Sequence, residues 1–279
     1  MAARDGVRQD TMIISNLGEL MCPGTRRSFL RTLLAGGTAI LLPAVLTGCG
    51  DDNGVEPGQT TGLSFDLRTD GGIFRIVDLL EVLEGFYYTE VVRSSNFSVF
   101  FTPEEQELFV DLRDAEIVHR EFVREVLGAM KVPDVTMGSI NTDRLSVLLS
   151  SRDNIIKTAR NFEHTGISGL NGASKFLSDR RNLQVTRNFA TVEGRHAAAL
   201  LDIPLARGGI VGNTDFAGDL VVDANGLDVK VEANDARGVF FRVDSIGLLK
   251  AGTLANPPVT NPPNPDKGAP TPSFPPPIF

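Results

Sequence analysis

Between residues 72 and 201 the apolar positions recur at steps of three and four, the period of helices that lay one face against a core. Four long stretches follow this pattern. The first is predicted over about Gly72–Ser95, with Val77, Leu80, Glu84, Tyr88 and Val91 inward and Glu81 beside Leu80. The second opens at Thr102-Pro103-Glu104-Glu105, where threonine can cap, proline suits the first turn and a glutamate can close a capping box. Its inner face reads Leu108, Leu112, Glu116, His119, Val123 and Val126. After a break at Pro133–Thr142, a short helix near Asp143–Ser150 leads into the third, about Arg152–Leu177, whose inner face is Ile156, Ala159, Glu163, Gly166 and Leu170. Gly166, Gly169 and Gly172 each lower helix propensity by roughly 1 kcal/mol relative to alanine. Such a run makes sense where another helix or a bound group comes close. The fourth stretch, about Arg181–Leu201, presents Val185, Phe189, Glu193, His196 and Leu200 before Pro204 and Gly208-Gly209 end it.

The flanks read differently. Thr25-Arg26-Arg27-Ser28-Phe29-Leu30-Arg31, followed by the apolar run Thr32–Leu46, resembles a twin-arginine export signal. The run is short for a membrane span. It ends in Leu46-Thr47-Gly48-Cys49, which looks like a bacterial lipobox with Cys49 as the acylated residue; an uncleaved N-terminal anchor is the alternative. Asp51–Thr61 reads as a tether. Beyond the fourth helix, Val221–Leu227 carries an Asn225-Gly226 turn signal for a small hairpin, and Ala236–Leu249 a short helix on the bundle's end. From Leu254 onward lie ten of the sixteen prolines, a composition for an extended or disordered tail. The expected organisation is a signal over 1–48, a tether over 49–70, a helical domain over 71–205, a small irregular extension over 206–253 and the tail over 254–279.

Composition narrows the chemistry. The 279 residues are 42% hydrophobic, enough for a core, and carry a net charge of −8. Residues 1–48 hold five of the 27 basic and three of the 35 acidic residues, so the remainder stands at −10, a balance that disfavours nucleic acid and anionic lipid as partners. Of the two cysteines, Cys22 leaves with the signal and Cys49 is blocked by lipid. No thiol then remains for a disulfide, a zinc site or a nucleophile, and any metal must be held by oxygen and nitrogen.

The candidate ligands stand out against that background. Glu116-x-x-His119 and Glu193-x-x-His196 use two of the three histidines, and in each the carboxylate and the imidazole share one helix face. Glu81 and Glu163 precede the two pairs by 35 and 30 residues, about one helix and a turn. All six fall on inward faces, where an unpaired carboxylate costs several kcal/mol unless something neutralises it. One Glu-x-x-His alone is more often structural; the duplication with its spaced partners points to metal. Glu84 competes with Glu81 for the ligand role, the register to Tyr88 favouring Glu81. His164 points about 100° away from Glu163, and Tyr87 reads as packing.

The strings Leu80-Glu81-Val82-Leu83-Glu84-Gly85-Phe86-Tyr87-Tyr88, Phe162-Glu163-His164-Thr165-Gly166 and Val192-Glu193-Gly194-Arg195-His196-Ala197-Ala198-Ala199 carry a resemblance. From about Phe74 to Leu201 the chain resembles the ferritin-like superfamily, in particular its bacterial exported, desiccation-associated branch. The likeness implies an all-α fold: an antiparallel four-helix bundle, here followed by a small irregular segment and a disordered proline-rich tail. It also implies two iron or manganese ions, one held by Glu81 and His119 with bridging Glu116, the other by Glu163 and His196 with bridging Glu193. Tyr88 matches a tyrosine that hydrogen-bonds near such sites. Leu170 departs from the branch, which commonly has a tyrosine there. Hard carboxylate oxygens with two imidazoles suit iron or manganese, and four carboxylates against two divalent ions sum to zero charge. The function so implied is an exported lipoprotein, anchored at the periplasmic face through Cys49, that oxidises iron or removes peroxide. The rival is a non-catalytic envelope scaffold or stress-protection protein without metal. A storage cage fits poorly with a lipid anchor and a long tail.

Overall fold

The computed structural model describes residues 62–205, 218, 221–233 and 238–260. The export signal, Cys49, most of the tether and residues 261–279 of the tail lie outside the described residues.

The fold is mostly helical. Among the described residues are seven α-helices and two short strands: β1 (Leu63–Asp66), α1 (Asp70–Arg93), α2 (Phe97–Phe100), α3 (Pro103–Leu127), α4 (Thr142–Leu148), α5 (Arg152–Ala173), α6 (Arg180–Asp202), α7 (Val239–Ile246) and β2 (Leu254–Thr260). The long helices pack as α1 on α3 and α5 on α6, and α1 also meets α5. None of the described helices is long and apolar enough to cross a membrane.

Local chemistry sets the helix ends. At α3 the Thr102 hydroxyl accepts from the Glu105 amide at 3.3 Å while the Glu105 carboxylate accepts from the Thr102 amide at 3.0 Å, the box that the sequence spells. Asn141 caps α4, Ser151 caps α5 and Asp179 caps α6. At the far end of α6 the Arg160 guanidinium donates to the Leu200, Leu201 and Ile203 carbonyls, placing a cation where the helix dipole is negative.

Helix α1 is the centre of the molecule, where the sequence pattern marks only one stripe. Almost every residue from Asp70 to Tyr88 is buried, including Ile73, Leu79, Leu80, Val82 and Leu83 on different sides. Hydrophobicity all round is the mark of an enclosed helix. Phe65 of β1, Val259 of β2, Val132, Ile140, and Phe240 and Val243 of α7 belong to one core with the apolar residues of α1. Two polar anchors are buried with it. Asp78 accepts from Arg124 Nε at 3.0 Å and from the Val132 amide at 2.7 Å. Asp70 accepts from the Ser178 and Asp179 amides, the Ser178 hydroxyl and Asn182 Nδ2, fastening the start of α1 to the start of α6.

The flanks are more ordered than a tether and a loose tail. Strands β1 and β2 run parallel, so the end of the expected tether and the head of the proline-rich segment are joined. Leu63 stands opposite Leu254 and Phe65 opposite Val259; the jump in register spans Pro257 and Pro258, which have no N–H to donate. What orders this pair is the burial of Phe65 and Val259 against α1 and α7. The expected hairpin shrinks to one antiparallel bridge, Val222 with Asp228, around Gly226 at φ 75°. The glycine run on α5 has its explanation here. A Cβ at Gly172 would fall 2.0 Å from the Val231 carbonyl oxygen, and one at Gly169 would fall 2.8 Å from Val239 Cγ2.

Burial raises the Asp70 pKa, but the hydrogen bonds from Ser178, Asn182 and Asp179 outweigh it and hold the group below the ordinary carboxylate value of 3.8. A depressed pKa contributes stability above the unfolded value and loses it as pH falls through the folded one. Asp70→Ala is therefore expected to cost roughly 2–3 kcal/mol at neutral pH. In urea titrations the deficit should narrow as the pH is taken below about 4.

Candidate metal centre

Four helices deliver the candidate ligands to one place: Glu81 from α1, Glu116 and His119 from α3, Glu163 from α5, and Glu193 and His196 from α6. Glu116, Glu163 and Glu193 are each at most 1% exposed, and Glu81 is 2% exposed. His119 Nδ1 lies 3.0 Å from Glu116 Oε2, 3.1 Å from Glu193 Oε1 and 3.4 Å from Glu81 Oε2. His196 Nδ1 lies 2.8 Å from Glu116 Oε1 and 3.3 Å from Glu163 Oε2. The two imidazoles stack with centroids 6.0 Å apart.

Donor atoms fall into two overlapping sets. Those of Glu81, Glu116, His119 and Glu193 lie within 4.8 Å of one another, and so do those of Glu116, Glu163, Glu193 and His196. Glu116 and Glu193 belong to both. Within these sets Glu81 Oε2, Glu116 Oε1, Glu163 Oε2, both Glu193 oxygens and His196 Nδ1 are buried without a hydrogen bond. His196 Nδ1 is the telling case: it is 2.8 Å from Glu116 Oε1, but the angle is not that of a hydrogen bond. These atoms converge on shared space rather than on each other. Buried polar atoms are normally paired, so a convergence of orphaned carboxylate oxygens with the His196 nitrogen is chemistry that fits cations.

An aromatic cluster holds the floor in place. Tyr88 donates to Glu163 Oε1 at 2.5 Å, and its ring lies 6.2 Å from Phe109, which lies 4.6 Å from Phe101. Tyr87 does more than pack, since its hydroxyl donates to the Ile155 carbonyl at 3.0 Å and ties α1 to α5. Glu84 is 1% exposed, its Oε1 has no partner, and it lies outside both four-donor sets. Glu81 and Glu84 are thus both enclosed, but only Glu81 joins a set. A spacing of three residues on a helix buried on all sides is the signal that both would be enclosed. His164 is half-buried and outside both sets; desolvation and the Arg242 and Arg160 guanidinium groups lower its pKa.

Electrostatics follow from enclosing five carboxylates with two imidazoles. Desolvation drives Glu81, Glu84 and Glu163 well above the ordinary glutamate range, and for Glu84 four neighbouring carboxylates add to it. Glu116 goes the other way: despite desolvation, contacts with both imidazoles bring it down to about 2. Desolvation opposes charge on His196 too, but Glu116 and Glu163 push it up to about 11. His119 is raised in the same manner by Glu81, Glu116 and Glu193.

Residues 69–204 match the family model of the ferritin-like domain. That stretch begins at Thr69, the cap of α1, and ends at Pro204, just past α6, so the match spans the four long helices and all six candidate ligands. It covers just under half of the chain and supports the ferritin-like superfamily for that region. No curated protein and no solved structure matches the chain. The ferritin-like match and the buried carboxylate and histidine cluster are together compatible with a di-metal site.

Without metal, the raised glutamates and imidazoles make the folded chain bind more protons than the unfolded one once pH exceeds the ordinary glutamate value of 4.5. Stability then falls as pH rises. The melting temperature of chelator-treated protein is expected to decline steadily from about pH 5 to about pH 9. Glu84→Gln, which removes a carboxylate that four neighbouring glutamates repel, should flatten that decline and raise the melting temperature of the metal-free protein at the alkaline end.

Proposed function

We propose that residues 69–204 form an antiparallel four-helix bundle of the ferritin type whose core holds a carboxylate-bridged pair of iron or manganese ions. The observation that carries this reading is the sharing of Glu116 and Glu193 between two four-donor sets. Glu81 and His119 would complete one ion's ligands, and Glu163 and His196 the other's. When bound, such a pair supplies one-electron redox chemistry toward dioxygen or peroxide, which supports iron oxidation or peroxide removal as the activity. The chain's own residues set the conditions for it. Glu116 and Glu193 neutralise charge at the shared position, Tyr88 holds one Glu163 oxygen so that the other faces the centre, and Phe189, 4.6 Å from the His119 ring, fixes that imidazole. The surrounding leucine and phenylalanine core keeps bulk water from the carboxylates.

The same proposal covers the flanks. Thr25–Arg31 and the lipobox ending at Cys49 support a bacterial protein exported by the twin-arginine route and held at the periplasmic face by lipid, while the strings around Glu81, Glu163 and Glu193 support the desiccation-associated type. Export in the folded state lets metal be loaded before translocation. A second reading, a metal-free scaffold or stress-protection protein, draws on one observation: His119 and His196 already lie against four of the buried carboxylates, where protons on the two imidazoles would offset part of the charge.

Elemental analysis separates the two. Two ions per chain, lost in both Glu116→Ala and His196→Ala, are the expected result; metal-free protein of unchanged stability after growth with iron and manganese favours the scaffold. Glu193→Leu gives an independent check. It should raise the melting temperature of metal-free protein and lower that of loaded protein, since an apolar side chain relieves a buried charge but removes a shared ligand. Cys49→Ala is expected to move the protein from the membrane fraction to the soluble one.

A further inference from the structure

Beside the carboxylates lies a pocket of about 30 Å³ lined by residues of α1 and α5 together with Glu232, Ala233 and Val239. Its lining runs from the half-buried Ala173, Phe176 and Ala233 to the buried Glu81 and Gly166. Val77, Leu80, Leu170 and Val239 line it between them. Among the described residues two of its lining side chains are charged, Glu81 and Glu232, and Glu232 is already paired with Lys175. Gly166 lies between the pocket and the centre: a Cβ there would fall 3.3 Å from Glu193 Oε2 and 3.5 Å from Glu84 Oε1.

Size and polarity together select the occupant. One water-sized sphere takes roughly 10–15 Å³ on this scale, so the pocket has room for about two such atoms in a row. A buried water needs two to four polar partners, and apolar cavities without them stay dry and take up apolar atoms instead. Hydrogen peroxide, with a donor and an acceptor at each end, meets the same obstacle. A diatomic apolar gas does not.

The internal repeat of the helices shows how the pocket arises. Tyr88 stands seven residues after Glu81 and hydrogen-bonds Glu163 across the centre. Leu170 stands seven residues after Glu163 and lines the pocket together with Glu81. One side of the centre thus carries a phenol, while the matching position on the other side has an aliphatic side chain and open space. Resting on the dinuclear reading above, we propose that this pocket binds dioxygen and admits it to the centre from the Glu81 side, making dioxygen rather than peroxide the oxidant that the fold accommodates.

Crystals pressurised with xenon test the pocket with or without metal. Xenon density between Val77, Leu170 and Gly169 is expected, and Leu170→Phe should abolish it. An ordered water in that position, or no xenon in the unaltered protein, overturns the proposal. With iron(II)-loaded protein, Leu170→Phe and Ala173→Leu should each slow oxidation by dissolved dioxygen at least about fivefold while leaving oxidation by peroxide within about twofold. Equal slowing with both oxidants, or with neither, counts against the proposal. Protein that never takes up metal overturns the dinuclear reading whatever the pocket holds, whereas a xenon-free pocket in loaded protein removes only the dioxygen route.

Discussion

Five carboxylates enclosed at one level of a helical core constrain the rest of this structure. Their mutual repulsion and desolvation oppose folding, so the chain needs compensation from elsewhere: protonated imidazoles, protons on the glutamates themselves, or cations. The apolar surroundings make the problem acute. Leu80, Leu83, Leu112, Ile156 and Phe162 are buried on the helices that carry the acids, and each such buried side chain stabilises the fold by roughly 1.5–3 kcal/mol. Stability from the core is thus partly offset at the centre, which is the usual relation between a scaffold and a site built to bind something.

Much of this was legible in the sequence because helices repeat. The Glu-x-x-His pairs needed only the period of 3.6 to be placed on inward faces, and the Thr102 box announced the start of α3 about four turns before the inward Glu116. The family resemblance put Tyr88 near the site, while its partner, Glu163, 75 residues on, had no local signal. Interactions between elements were harder to read. Nothing local says that Asp78 will meet Arg124 and the Val132 amide, or that Asp70 will fasten α6, because those partners are 46 to 112 residues away. The complete enclosure of α1 was also hidden: a helix's own period shows which face is apolar, while coverage of its other faces depends on segments that fold onto it from the far end of the chain.

The glycine run of α5 joins these two kinds of information. Its cost in propensity was visible, and so was the need for a close neighbour, but the neighbours differ from one glycine to the next. Gly172 admits a backbone carbonyl, Gly169 a valine side chain and Gly166 the carboxylates themselves. Three identical letters on one helix face therefore serve segment docking at one end and the centre at the other.

The parallel pairing of β1 and β2 has a mechanical side. In parallel strands the chain enters the first at one end of the ladder and leaves the second at the opposite end. Tension applied between residue 62 and residue 260 therefore loads the ladder in shear, along the strands, so that its bonds and the Phe65 and Val259 contacts must yield together rather than peel one by one. A helical body pulled from its two flanks would feel that load first at this small clasp, with the helices behind it sheltered until the clasp slips.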